Sequence, residues 1–139
     1  MNEYQFSEIQ IGDQESFIYH LDENKMRLFR EISGDENPLH TDIDFAKEKG
    51  YSENVVYGQL TAAALSTLAG MYIPGKLSII HKIETNFLKP VFLSKCPLQV
   101  MGTVKEKDKR FKTITLKFEM FDTEHVKVCK GKMRIGFLE

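Results

Sequence analysis

Residues 58 to 73 constrain the fold of this chain more than any other stretch. A helix over this segment places Leu60, Ala63, Ala64, Leu65, Leu68, Ala69, Met71 and Tyr72 around most of its circumference, and the segment is poor in charge. A helix that is apolar nearly all round has to be buried. Pro74-Gly75 stops it. The period then switches to two, predicting strands over 77–88, 97–106, 111–122 and 126–137. In the third of these, Ile114, Leu116, Phe118 and Met120 face one way and Lys117 and Glu119 the other. Asp108-Lys109-Arg110 and Thr123-Glu124-His125 are short polar connections of hairpin type. In the last strand the apolar parity changes between Val126/Val128 and Met133/Ile135/Phe137, and a bulge or bend is predicted at Gly131 between them. A buried helix followed by an antiparallel meander is an α+β layout, with the sheet wrapped around the helix.

The N-terminal part supplies shorter elements. Glu15 to His20 reads as a first strand. Asp22 is placed to cap a helix in which Met26, Phe29 and Ile32 recur at helical spacing, and Gly34 ends it. A short helix over Phe45 to Lys49, capped by Asp42 or Asp44, closes at Gly50. With 139 residues and no linker, repeat or low-complexity run, residues 1–139 are expected to form one domain. A net charge of −1 gives no electrostatic reason to expect nucleic acid or an anionic membrane as partner. The N-terminus carries no basic start and apolar run of the signal-peptide kind, and no stretch approaches the ~20 apolar residues of a membrane span. Cys96 and Cys129, the two cysteines, are expected to be free thiols in a reducing cytoplasm. His20, His81 and His125 lack ligand spacing, so no catalytic metal is expected.

The chemistry concentrates in Ser33-Gly34-Asp35-Glu36-Asn37-Pro38-Leu39-His40. A carboxylate and an imidazole stand five residues apart, with Gly34, Asn37 and Pro38 breaking regular structure around them. Asp35 and His40 are therefore expected on a rigid, irregular loop and not on one helix face. Such a pair can hold a water and move its protons, as adding or removing water across a carbon–carbon double bond requires. Asn37 fits a loop organiser whose amide orients His40, and Pro38 restricts Asn37 to extended geometry. Taken alone, the string also suits a plain turn with His40 on the surface.

The segment Phe29 to Asp42 resembles the hydratase motif of the MaoC-like dehydratases, which include the (R)-specific enoyl-CoA hydratases. Val55-Val56-Tyr57-Gly58-Gln59-Leu60-Thr61-Ala62 is similar to the start of that family's central helix, and Phe87-Leu88-Lys89-Pro90-Val91-Phe92 to its F-x-x-P-V strand. The three blocks follow in the family's order along nearly the whole chain. The resemblance implies a hotdog fold, and a hydro-lyase interconverting trans-2-enoyl and (R)-3-hydroxyacyl thioesters of CoA or acyl-carrier protein. It implies no cofactor beyond the substrate's own handle, and a homodimer or higher homo-oligomer with sites at the interface.

The resemblance also assigns roles. Asp35 and His40 hold and activate the catalytic water. The Gly58 N–H, at the start of the central helix, polarises the thioester carbonyl as charge develops on it; the plainer reading of Gly58 is a simple helix-start glycine. Ser66 stands where some relatives carry a serine that orients the aspartate, although a serine bonded within its own helix is as good a reading. Tyr57 departs from the histidine of many relatives; a tyrosine can fill that space and donate a hydrogen bond. Asn37, Tyr57 and Ser66 are thus the expected substrate-binding residues beside the catalytic Asp35, His40 and Gly58. The apolar helix face with Phe87 and Leu88 is a candidate acyl tunnel. Two other readings keep the fold: a hotdog acyl thioesterase attacking the carbonyl itself, and a non-catalytic acyl-binding subunit with no need of an Asp–His pair.

Overall fold

Every segment with period-two alternation is a strand in the computed structural model, which describes residues 1–139. In chain order the elements are β1 (Gln14–Tyr19), α1 (Glu23–Ser33), α2 (Pro38–Thr41), α3 (Ile43–Glu48), α4 (Gly58–Ala62), α5 (Ala64–Thr67) with a π-helical turn at Leu68–Tyr72, and β2 (Ser78–Phe87), β3 (Leu98–Asp108), β4 (Thr113–Phe121) and β5 (Lys127–Phe137). The five strands form one antiparallel sheet in the order β1-β3-β4-β5-β2. Both edge strands are thus the first two in sequence. The only neighbour of β2 is β5, the last strand in sequence.

The inner face of the sheet meets the helical segment. Val100, Val104, Leu116, Phe118, Met120, Met133 and Ile135 are fully buried and join Ala64, Leu65, Leu68 and Ala69 in one cluster. Burying each larger side chain contributes roughly 1.5–3 kcal/mol. The approach is close at Gly102, where a Cβ would stand 3.0 Å from Leu68 Cδ2.

The helix differs from its sequence reading in two ways. It is not regular throughout: α4 and α5 are followed by a π-helical turn. Nor is it buried on all sides. Gln59, Ala63, Ser66 and Met71 are exposed, so the sheet covers one side and leaves an outer stripe open.

The parity change in β5 is real, but its bulge lies at Val128 and not at Gly131. Met120 pairs with Cys129 and Phe121 with Lys127, leaving Val128 as the extra residue. Gly131 sits in uninterrupted register between Phe118 and Thr85. It is glycine because a Cβ there would lie 1.8 Å from the Glu84 carbonyl oxygen. Two further bulges, at His81 and Lys105, interrupt β2 and β3. Along β2 no residue is fully buried, and Ile79, Ile83 and Phe87 are 45%, 45% and 51% exposed.

Candidate active site

The site begins where α1 ends. Asp22 caps α1 by accepting from the Lys25 N–H at 2.9 Å. Gly34, at φ 71°, takes the left-handed conformation that stops the helix and donates its N–H to the Arg30 carbonyl. Short polar side chains then organise the turn. Ser33 Oγ accepts from the Asp35 N–H at 3.1 Å, Asp35 Oδ1 from the Asn37 N–H at 2.9 Å, and Asn37 Oδ1 from the Leu39 N–H at 2.9 Å. Pro38 follows as the first residue of α2, where a missing N–H costs nothing.

His40 is therefore on a one-turn helix, not on the irregular loop expected for it; only Asp35 is on the loop. The Asn37 cap and Pro38 suffice to start a helix that the breaking residues conceal in sequence. Asn37 organises the loop through the Oδ1 cap on the Leu39 N–H and through its own carbonyl, not through a bond to the His40 ring. Its carbonyl accepts the His40 N–H at 3.0 Å, and its amide has no bond to the imidazole.

The extended segment before α4 braces α2. Asn54 Nδ2 and the Val55 N–H both donate to the Leu39 carbonyl, at 3.1 and 3.2 Å. His40 Nδ1 lies 2.6 Å from the Val55 carbonyl oxygen. A carbonyl only accepts, so Nδ1 carries the proton, and in the neutral ring Nε2 presents its lone pair. No sequence signal marks the Val55 carbonyl, because a backbone acceptor has no residue type.

Tyr57 lies beneath the pair and is 2% exposed. Its ring centroid is 4.2 Å from that of His40, and on another side 4.9 Å from that of Phe29. Its hydroxyl donates to the Asp35 carbonyl at 2.6 Å. Burial, and then the Asp35 charge, raise its pKa, so the phenol remains a donor at neutral pH. The hydrogen bond allowed for this residue is present, spent on the protein.

Gly58 opens α4, and its N–H donates to no group of the chain. A Cβ at Gly58 would lie 3.3 Å from the Phe87 ring. His40 and Gly58 line one cavity of about 290 Å³ with Thr61, Phe87, Lys89 and Val91. Asp35 is exposed and is not among its lining residues. The structure thus brings His40 and Gly58 to one space and joins Asp35 to them through Tyr57. Ser66 is elsewhere. Its hydroxyl makes no hydrogen bond to Asp35; it lines a separate cavity of about 510 Å³ between the outer helix stripe and β2, with Ile80, Ile83 and Phe87. The helical turns between Gly58 and Ser66 turn it onto that stripe. No three His, Cys, Asp or Glu side chains are grouped so as to hold a metal ion.

The chain is similar in sequence and in fold to several known proteins. The family described as "MaoC like domain" matches residues 8–125. The (R)-specific enoyl-CoA hydratase of Aeromonas caviae is 35% identical over 92 residues, 66% of this chain and 69% of that protein. A mitochondrial 3-hydroxyacyl-acyl-carrier-protein dehydratase of Arabidopsis thaliana is 25% identical over 80 residues, 58% of this chain and 45% of that protein. The solved structure of the (R)-hydratase from A. caviae involved in PHA biosynthesis superposes with a TM-score of 0.87 at 25% identity, covering 93% of this chain and 97% of that one.

Proposed function

This chain belongs to the MaoC-like domain family, and from that premise we propose how it works as a hotdog-fold hydro-lyase interconverting trans-2-enoyl and (R)-3-hydroxyacyl thioesters. In hydration, water bound between the Asp35 carboxylate and His40 Nε2 loses a proton to Nε2 as its oxygen bonds to C3 of the enoyl group. The double-bond electrons move toward the thioester, and the Gly58 N–H donates to the carbonyl oxygen on which charge collects. The proton taken up by Nε2 is then delivered to C2, which returns His40 to its neutral form and leaves Asp35 unchanged. Dehydration runs through the same steps in reverse.

One observation carries this assignment: His40, its Nδ1 already committed to the Val55 carbonyl, shares a cavity with an unpartnered Gly58 N–H. A base and an oxyanion donor on one small space fix which face of the double bond water reaches. Asn37 holds the loop that carries Asp35. Phe87 and the Ser66 cavity offer apolar room for the acyl chain, and the substrate is a thioester of CoA or acyl-carrier protein.

A second copy covering β2 completes the molecule, since a ten-residue edge with Ile79, Ile83 and Phe87 outward is suited to pairing. The two free thiols, Cys96 and Cys129, suit the cytoplasm; no helix is long and apolar enough to cross a membrane.

Incubation with crotonyl-CoA tests the reaction. Loss of the enoyl absorbance without thiol release is expected. The product should give no signal with an (S)-specific 3-hydroxyacyl-CoA dehydrogenase. Release of free thiol would make the protein a thioesterase, and no change on a panel of enoyl thioesters of graded length on both carriers would make it a binding subunit.

A further inference from the structure

We infer that Tyr57 is the positioning residue that couples the loop of Asp35 to the ring of His40, so that the two act on one water. The inference rests on the assignment of Asp35 and His40 made above. Tyr57 is the side chain that touches both, through its hydroxyl on the Asp35 carbonyl at 2.6 Å and its ring 4.2 Å from the imidazole.

The Asp35 loop depends on this contact to an unusual degree. Residues 33 to 38 are all exposed. Their other hydrogen bonds stay within the segment from Phe29 to Asp42: the Gly34 N–H to Arg30, the Asx turns of Asp35 and Asn37, and the Arg30–Glu36 ion pair at 3.2 Å. The ion pair is surface-exposed, a kind of contact worth at most about 1 kcal/mol. Tyr57 alone ties the loop by hydrogen bond to the core. Tyr57 is itself held firmly, being nearly fully buried, packed on Phe29 and immediately before α4. On the other side it limits His40. The Val55 carbonyl fixes one ring nitrogen and the Tyr57 ring covers a face, leaving Nε2 the free point of the imidazole. Gly58, next in the chain, carries the carbonyl donor, so one dipeptide sets the distances among all three groups.

The proposal makes a demand that a plain packing role does not. If Tyr57 works by holding the Asp35 carboxylate in place, removing its hydroxyl matters only while that carboxylate is present. We would measure kcat and KM for crotonyl-CoA with Tyr57→Phe, Asp35→Asn and the double variant, with melting curves for each. Tyr57→Phe keeps the ring and the fold. It should lower kcat on the order of ten-fold with KM within about two-fold, because misplacing a reacting group by about 1 Å is enough for such losses. Asp35→Asn should fall ~10²-fold or more, and the double variant should be no slower than Asp35→Asn to within about two-fold. Full kcat in Tyr57→Phe would overturn the inference. So would losses that multiply in the double variant, which would place the action of Tyr57 elsewhere. Full activity of Asp35→Asn would instead remove the assignment of the pair, and this inference with it.

Discussion

At the scale of single residues, the site is a set of backbone restraints around two side chains. His40→Ala removes the proposed proton acceptor and should lower turnover ~10²-fold or more. The ring is only partly buried, so the fold should survive, and circular dichroism with a crotonyl-CoA assay checks both points. The thiols make a separate test. Burial raises the pKa of Cys96 and of Cys129, each to about 11. At pH 8 the thiolate is then a minor species, and native protein should resist iodoacetamide at both positions, while denatured protein takes up two equivalents. A raised folded pKa stabilises fully below the unfolded thiol value, near 8.5, and that contribution is lost as pH rises through about 11. The melting temperature should therefore fall between about pH 9 and 11, and less steeply in Cys129→Val. Asp35, His40 and Gly58, the groups proposed for the chemistry, stand out in the sequence by residue type. The Val55 carbonyl was not, since any residue can supply a carbonyl. The bond from Tyr57 to Asp35 was half legible, the donor from its residue type and the acceptor only from the fold.

At the scale of elements, the sequence reveals what depends on alternation and hides what depends on register. Each strand starts and ends within three residues of its predicted limits, because the apolar inner face sets them. The one-turn helix under His40 is too short to show a period, and a glycine in a strand marks a bulge or a close approach alike, so alternation does not place the bulge at Val128. Gly131 serves instead for close approach. Gly131→Ala would drive a methyl group into the Glu84 carbonyl at 1.8 Å and toward Phe118 Cζ at 2.8 Å. Since the first atom is backbone in the neighbouring strand, β2 must separate from β5. A loss of about 3 kcal/mol or more in denaturant unfolding is expected, in the range of severe core disruption. A variant of unchanged stability would show that β2 is not held in this register.

At the scale of the whole molecule, the proposed pairing through the open β2 edge sets what is expected. Light scattering at working concentration should give a dimer or a larger even assembly. Ile83→Lys, placing a charge at the middle of β2 where Ile83 is 45% exposed, should shift it toward monomer. An active wild-type monomer would refute the pairing of β2 with a second copy. The α+β layout was readable from periodicity, but the strand order was not, because alternation along a strand does not say which strand lies beside it.

That order has a consequence for how the molecule comes into being. The ribosome delivers β2 directly after the helix, yet its neighbour β5 is delivered only after β3 and β4. While some forty further residues are being made, a long strand bearing Ile79, Ile83 and Phe87 waits beside a helix with no sheet to join. Pairings between distant parts of a chain are slow to form, and an unpaired apolar strand is a template for its counterpart on a neighbouring nascent chain. The same edge that suits a finished partner is thus the part of the newborn protein most in need of shelter during its synthesis.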